Sequence, residues 1–286
     1  MALDPNYQTL AQITITALNH FIYGIYTTTF GFCASILYRK STILKLVTAI
    51  FLFTFTTVEK ASSFTADIYG SCESCHSKSE YVERLYYLAY YFRFASSAVA
   101  DGILLLRYYA VLGRRWRTIV LPGLIYLGSH IAGFIVIFES IPDAVEVVAG
   151  VELHGFKDVA VGMTGLVIGL NNLLMSSLIG FRIFATTREV APHFHSKPRR
   201  MYNTAVAATL ESGVLYSVFL AVTCIFQIKF AWPRSKPDDY TNFTIWRIVI
   251  SALLRCWSSV AGIASTTIIV RIALGRSIDQ SVIQTV

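Results

Sequence analysis

Apolar residues run through this chain in stretches of about 20 or more, each closed by charge or by turn residues. The first covers about Leu10 to Tyr38 and stops at Arg39-Lys40. The second covers about Leu44 to Tyr69 and stops at Gly70-Ser71. The third begins near Leu85 and ends near Leu112, ahead of Gly113-Arg114-Arg115. Four more cover about Thr118 to Phe138, Val159 to Ala185, Met201 to Phe230 and Phe243 to Ala273. Pro233 prevents the sixth from continuing. Each stretch is long enough for a helix to cross a bilayer core of about 30 Å. None shows the period-2 alternation of a membrane strand. The pattern therefore predicts an all-α fold, a polytopic bundle of seven transmembrane helices. The second stretch is the weakest, because Glu59, Lys60 and Asp67 interrupt its outer half. No repeat and no long linker divides residues 1–286, so a single domain is expected.

Composition agrees with that reading. The 286 residues are 55% hydrophobic and 14% charged, about half the charge of a soluble domain. So little polar residue cannot cover an apolar core, which excludes an ordinary soluble enzyme or a disordered chain. The net charge of +7 would suggest nucleic acid in a soluble protein, but here its distribution matters more, and no nucleic-acid partner is expected.

Sorting the loops by charge orients the bundle. Residues 39–45, 113–117, 182–200 and 271–286 hold 13 Lys and Arg and two acids, Glu189 and Asp279. Residues 1–9, 70–84, 139–158 and 231–242 hold 5 basic and 11 acidic residues. By the positive-inside rule the amino terminus lies outside and the carboxyl terminus in the cytosol. The first nine residues hold Asp4 and no Lys or Arg, so no cleavable signal is expected and the first span inserts the chain. The sequon at Asn242 falls on the outer side, consistent with a multi-pass protein of the plasma membrane or an endomembrane. The basic inner loops suit anionic lipid, and Lys197-Pro198-Arg199-Arg200 suits an acidic cytosolic partner.

Of five cysteines, Cys33, Cys224 and Cys256 lie inside spans as packing residues. Cys72-Glu73-Ser74-Cys75-His76 in the first outer loop matches the spacing of a c-type haem attachment, and could also begin a zinc site. A second pair of zinc ligands is missing and the short loop offers no haem pocket, so a Cys72–Cys75 disulfide is expected, with no cofactor and no metal.

Ionisable residues inside spans are costly unless paired, which makes each a candidate for function. At 1.5 Å per residue, Glu59, Arg93 and Arg255 fall roughly 8–12 Å below the outer boundary. Lys60 and Arg247 lie higher, where they can snorkel outward. Glu59 is expected to pair with Arg93 or Arg255, leaving a positive charge over for an anionic or polar ligand group. Tyr86, Tyr87, Tyr90, Tyr91, Phe92, Trp246 and Trp257 would line the pocket, although interfacial aromatics also belong there for anchoring. Nearer the cytosol, Asp101, Asn171, Asn172 and Glu211 form a second layer with two acids and no evident basic partner. One acid would be protonated, or a cation or water would sit between them. His20 and His130 are lone span histidines, expected to bond their neighbours. Gly165 and Gly169 form a GxxxG, which predicts close helix packing.

Several classes are disfavoured. The seventh span has no lysine for a retinal Schiff base, no DDxxD holds diphosphate, no histidine box is present, and no P-loop occurs. Within the spans only Pro122 breaks the helical pattern, which speaks against a transporter with broken helices.

Ala100-Asp101-Gly102, Leu106-Arg107-Tyr108-Tyr109-Ala110-Val111, Arg114-Arg115-Trp116, Leu121-Pro122 and Glu211-Ser212-Gly213-Val214-Leu215-Tyr216-Ser217 resemble a receptor-like family of seven-span integral membrane proteins from mushroom-forming (basidiomycete) fungi. The resemblance covers spans 3 to 7 best and implies a fungal source and a seven-span fold. It carries no activity with it. Arg107-Tyr108-Tyr109 lacks the acid that precedes the arginine in rhodopsin-like receptors, and the seventh span lacks an NPxxY-like end. The expected function is a receptor-like protein sensing a small molecule in the outer half, through Glu59, Arg93, Arg255, Tyr90 and Trp257. The alternatives are a metal-independent, terpene-cyclase-like enzyme using Asp101 and Glu211 as buried acids, or a transporter or scaffold.

Overall fold

The structure, a computed structural model, describes residues 5–39, 43–70, 79–113, 116–139, 154–190, 213–229 and 240–284. These form seven helices: α1 (Pro5–Arg39), α2 (Ile43–Gly70), α3 (Ser79–Val111), α4 (Trp116–Glu139), α5 (His154–Val190), α6 (Gly213–Lys229) and α7 (Tyr240–Gln284). No strand occurs among the described residues. The fold class is all-α, as the apolar runs require.

Five helices, α1, α3, α4, α5 and α7, are long and apolar enough to cross a membrane. α2 has the length, but Glu59, Lys60 and Asp67 dilute its apolar character, as the sequence pattern indicates. α6 is described over 17 residues, and the earlier part of its predicted span, with Glu211, lies outside the described residues. So do Cys72 and Cys75 and, among the basic loop residues, Lys40, Arg114, Arg115, Lys197, Arg199 and Arg200. Asn242 falls in the first turn of α7.

The bundle is apolar outside and polar inside, the reverse of a water-soluble domain. Phe21, Ile25 and Phe32 of α1 and Leu121, Leu124, Leu127 and Ile131 of α4 are exposed, while Glu59, Arg93 and Asp101 are buried. The exposed apolar side chains cost nothing in lipid, where the hydrocarbon is as apolar as they are.

α3 occupies the centre, against α2, α4, α5 and α7, and α1 closes the ring by packing on both α2 and α7. The main core joins Leu52 of α2, Phe94 and Ala100 of α3, Ile168 of α5, Tyr216 and Leu220 of α6, and Trp257 and Ala261 of α7. The GxxxG of α5 gives the expected close contact. A Cβ on Gly165 would stand 2.5 Å from Cys224 Sγ and 3.4 Å from the Trp257 ring, and one on Gly169 would stand 3.2 Å from Leu220 Cβ. Cys33, Cys224 and Cys256 are buried free thiols.

α4 continues through Pro122, and the resulting gap is filled from α3. Proline has no N–H, so the Thr118 carbonyl one turn earlier loses its helical donor. The Tyr108 hydroxyl donates to that carbonyl across 3.3 Å. The Pro122 carbonyl in turn accepts from Asn171 Nδ2 of α5 at 3.3 Å. A break in one helix thereby ties three together.

Candidate functional site

Glu59 is the centre of the outer cluster. It has no exposed surface, and its carboxylate must be met by donors, because a bare charge there is prohibitively costly. Arg93 on α3 donates to Oε1 from Nη2 at 2.9 Å and from Nε at 3.2 Å. Ser258 on α7 donates to Oε2 at 2.7 Å, and Lys60 Nζ stands 3.0 Å from the same oxygen. The Arg93 guanidinium also lies 4.9 Å from the Tyr90 ring centre, a cation–π distance.

Two expectations are corrected here. Lys60 does not snorkel outward. Its ammonium is 3% exposed and donates to Asn19 Oδ1 of α1 at 2.9 Å and to the Arg255 carbonyl of α7. The cause is geometric: on α2 the side after Glu59 faces α1 and α7, and an inward lysine meets an anion and two oxygen acceptors there. Arg255 does not share Glu59. It pairs with Asp67, donating from Nη2 to Oδ1 at 2.9 Å and from Nη1 to Oδ2, and Tyr86 donates to Oδ1 at 2.9 Å. Asp67 sits two turns beyond Glu59 on α2, so the single outer layer resolves into a deep cluster and a shallower one. The Arg255 side chain is 18% exposed against 6% for Arg93. Among the described residues the two clusters hold three cations and two carboxylates.

The inner layer is centred on Asp101 of α3. Asn172 Nδ2 of α5 donates to Oδ1 at 2.7 Å, and Ser97 one turn earlier donates to Oδ2 at 3.4 Å. For Asp101 the expectation of no evident basic partner is also corrected, because His130 of α4 places Nε2 3.3 Å from its Oδ2; Glu211 lies outside the described residues. Its Nδ1 bonds the Tyr126 carbonyl at 2.9 Å. His20 does bond its own helix, at the Thr16 carbonyl, 2.7 Å away. Asn171 faces Pro122 and not Asp101, so the two adjacent asparagines serve different helices. Asn171 Oδ1, Asn172 Oδ1 and Ser176 Oγ are buried and have no hydrogen-bond partner among the described residues.

The two layers meet along α7. Trp257, expected in a ligand pocket, is 1% exposed and lies in the core against Phe94. Its indole N–H donates to the Tyr216 hydroxyl of α6 at 3.2 Å. Tyr216 lies 3.3 Å from Ser97 Oγ, so the donor order runs Trp257, Tyr216, Ser97 and ends on the Asp101 carboxylate. Trp257 adjoins Ser258, which holds Glu59. Asn19, Glu59, Arg93 and Ser258 in one polar network, and His130, Asn172 and Tyr216 in the other, thus bring together one residue from every helix, and the two networks adjoin at the neighbouring Trp257 and Ser258 of α7. Tyr216 and Asn19 were not singled out in the sequence, because a tyrosine or asparagine in an apolar run has no spacing that distinguishes it.

Comparison with protein-family models, with curated proteins and with solved structures finds no match to this chain. The site therefore rests on its own geometry. Among the described residues no group of three His, Cys, Asp or Glu side chains is placed to hold a metal ion.

Proposed function

We propose that this chain is a receptor-like membrane protein in which all seven helices cross the bilayer, with the amino terminus outside and the carboxyl terminus in the cytosol. The observation that carries the reading is the pair of polar networks, adjoining at Trp257 and Ser258, that together touch every helix. A ligand that alters one ion pair in it changes the contacts of the others, which is the differential interaction a conformational signal needs. α2 and α6 join the five apolar spans on this view, α2 being tolerated because its charges are paired inside the bundle.

The ligand enters from the Arg255 and Asp67 side, the more open of the two outer clusters. The surplus cation of the adjoining deep cluster, where Arg93 and Lys60 face the single carboxylate of Glu59, favours a small molecule with an anionic or strongly polar group. Tyr90, 39% exposed and stacked on Arg93, offers the adjoining aromatic face. At the other end, the basic inner loops report the change to an acidic cytosolic partner or to anionic lipid. A source in mushroom-forming fungi and residence in the plasma membrane or an endomembrane belong to the same reading. Trp257 N–H is a donor only, so the chain through it supports mechanical coupling and not a proton relay across the membrane. The polar enclosure of Asp101 by Asn172, Ser97 and His130 favours a held charge over an acid facing an apolar substrate.

The test is a thermal-shift titration of the purified full chain in lipid nanodiscs with a graded series of aliphatic and aromatic carboxylates. At least one should raise the melting temperature by several degrees, and Arg255→Gln should abolish the shift. A series that produces no shift, or a shift unchanged in Arg255→Gln, overturns the outer-site reading.

A further inference from the structure

The orientation of His130 has a consequence for where protons reside. Its Nδ1 lies 2.9 Å from the Tyr126 carbonyl, and a carbonyl oxygen only accepts. Nδ1 must therefore carry hydrogen. That leaves Nε2, which faces Asp101 Oδ2 at 3.3 Å. Without a further proton, a nitrogen lone pair would confront a carboxylate oxygen in a site where Asp101 is 2% and His130 5% exposed. Two acceptors held together with little solvent repel one another, and one proton between them turns the contact into an attraction.

We propose that Asp101 and His130 form a proton-binding site inside the bundle, holding one exchangeable proton between Oδ2 and Nε2. The proton comes from solvent and adds to the Nε2 lone pair. The product is an imidazolium paired with a carboxylate, or its tautomer with the proton on Oδ2. No other bond forms or breaks.

The surroundings favour a proton over a metal cation. Both carboxylate oxygens already face donors, with Asn172 Nδ2 on Oδ1 and Ser97 on Oδ2. A hard cation such as sodium, magnesium or calcium takes oxygen ligands, whereas the two nearest neighbours from α4 and α5 present nitrogens, and among the described residues no group of three His, Cys, Asp or Glu side chains is placed to hold a transition metal. Among the described residues the other titratable groups facing the pair are Tyr126 on α4 and Tyr216 on α6, with Cys224 near Tyr216. α7 contributes the Trp257 N–H by way of Tyr216. α2 places its charges higher up, where Glu59 and Lys60 engage Arg93, and Arg107 further along α3 has a partner of its own. The site depends on no assumption about an outer ligand, so it stands or falls separately from the proposed function.

His20 supplies an internal control. Its Nδ1 is likewise bound to a helix carbonyl, but its ring lies edge-on to Phe64, and no carboxylate pairs with it among the described residues. The experiment is nitrogen-15 NMR on histidine-labelled full chain in nanodiscs, from about pH 5 to about pH 9. Replacing His76, His154, His193 and His195 by Gln leaves two rings, and His20→Gln then tells them apart. Both rings should show Nδ1 protonated throughout. His130 Nε2 should keep its hydrogen at pH values where His20 Nε2 has lost it. In Asp101→Asn the amide can donate to Nε2, so that nitrogen should be bare over the same range, and the advantage over His20 should vanish. The melting temperature gives a second reading. A proton bound more tightly in the folded state stabilises below the titration and is lost as pH rises through it. The wild type should therefore lose thermal stability at the alkaline end, and Asp101→Asn should not. If Asp101→Asn does not fold, the comparison of His130 with His20 decides alone. A bare Nδ1 on His130, or a His130 that titrates as His20 does, overturns the proposal. So does a melting temperature that follows sodium at fixed ionic strength.

Discussion

Arg93 and Glu59 are the partners on which the outer half of the bundle turns: one guanidinium gives two hydrogen bonds to a single carboxylate oxygen, both side chains being nearly or wholly buried. The other oxygen is held by Ser258 and approached by Lys60, so three helices converge on one anion. Removing that anion strands two buried cations. Glu59→Ala should cost about 3–5 kcal/mol, the range for breaking a buried pair. Asp101→Ala should cost less, since His130 can give up its extra proton while a stranded arginine cannot. Replacing Arg93 with Leu in the Glu59→Ala background should restore part of the loss, and replacing Lys60 with Met as well should restore more. A double-mutant cycle on thermal stability in detergent measures this. Additive single and double losses would show that the cluster is not coupled.

Close packing of α5 on α6 and α7 gives a second expectation. Gly165→Ala places a methyl group 2.5 Å from Cys224 Sγ, and overpacking of that kind costs about 1–3 kcal/mol. Cys224→Ala removes the offending sulfur, so the double variant should recover most of the loss. Gly24 and Gly31 on α1 meet nothing within 4 Å, and alanine there should be neutral or stabilising by about 1 kcal/mol at most. Melting curves of these variants and the wild type in one detergent check the series.

Orientation is tested without any structure. A tag at residue 1 should be cleaved by protease added to intact cells, while a tag at residue 286 is protected until the membrane is opened. The reverse pattern would contradict the 13-to-5 division of basic residues between the two sets of loops.

The helices were legible because an apolar run of membrane length leaves few alternatives, and the one doubtful run, α2, is doubtful for a reason visible in Glu59, Lys60 and Asp67. Depth counting also placed Glu59 and Arg93 together. What it could not supply was rotation. Depth says how far along a helix a residue lies, not which neighbour it faces, so it points Lys60 outward, leaves Glu59 open to either Arg93 or Arg255, and does not bring Arg255 to Asp67. His130 carried one usable signal: apart from Tyr126 it is the only ionisable side chain between Arg117 and Glu139. Nothing in the spacing tied it to Asp101, because that contact depends on how α4 packs on α3. The Trp257–Tyr216 bond was hidden for the same reason, with 41 residues between its partners.

The charges of α2 bear on the order in which the chain can be built. Glu59 leaves the ribosome 34 residues before Arg93, and Asp67 leaves 188 residues before Arg255. During that interval α2 carries acids and a lysine with no partner from α3 or α7 to receive them. In the proposed seven-span arrangement these charges are costly in lipid alone, which holds α2 at the insertion machinery or the membrane surface until its partners emerge. Its final place is granted only when the last helix arrives, so a chain truncated before α7 should fail at the second helix, not the seventh.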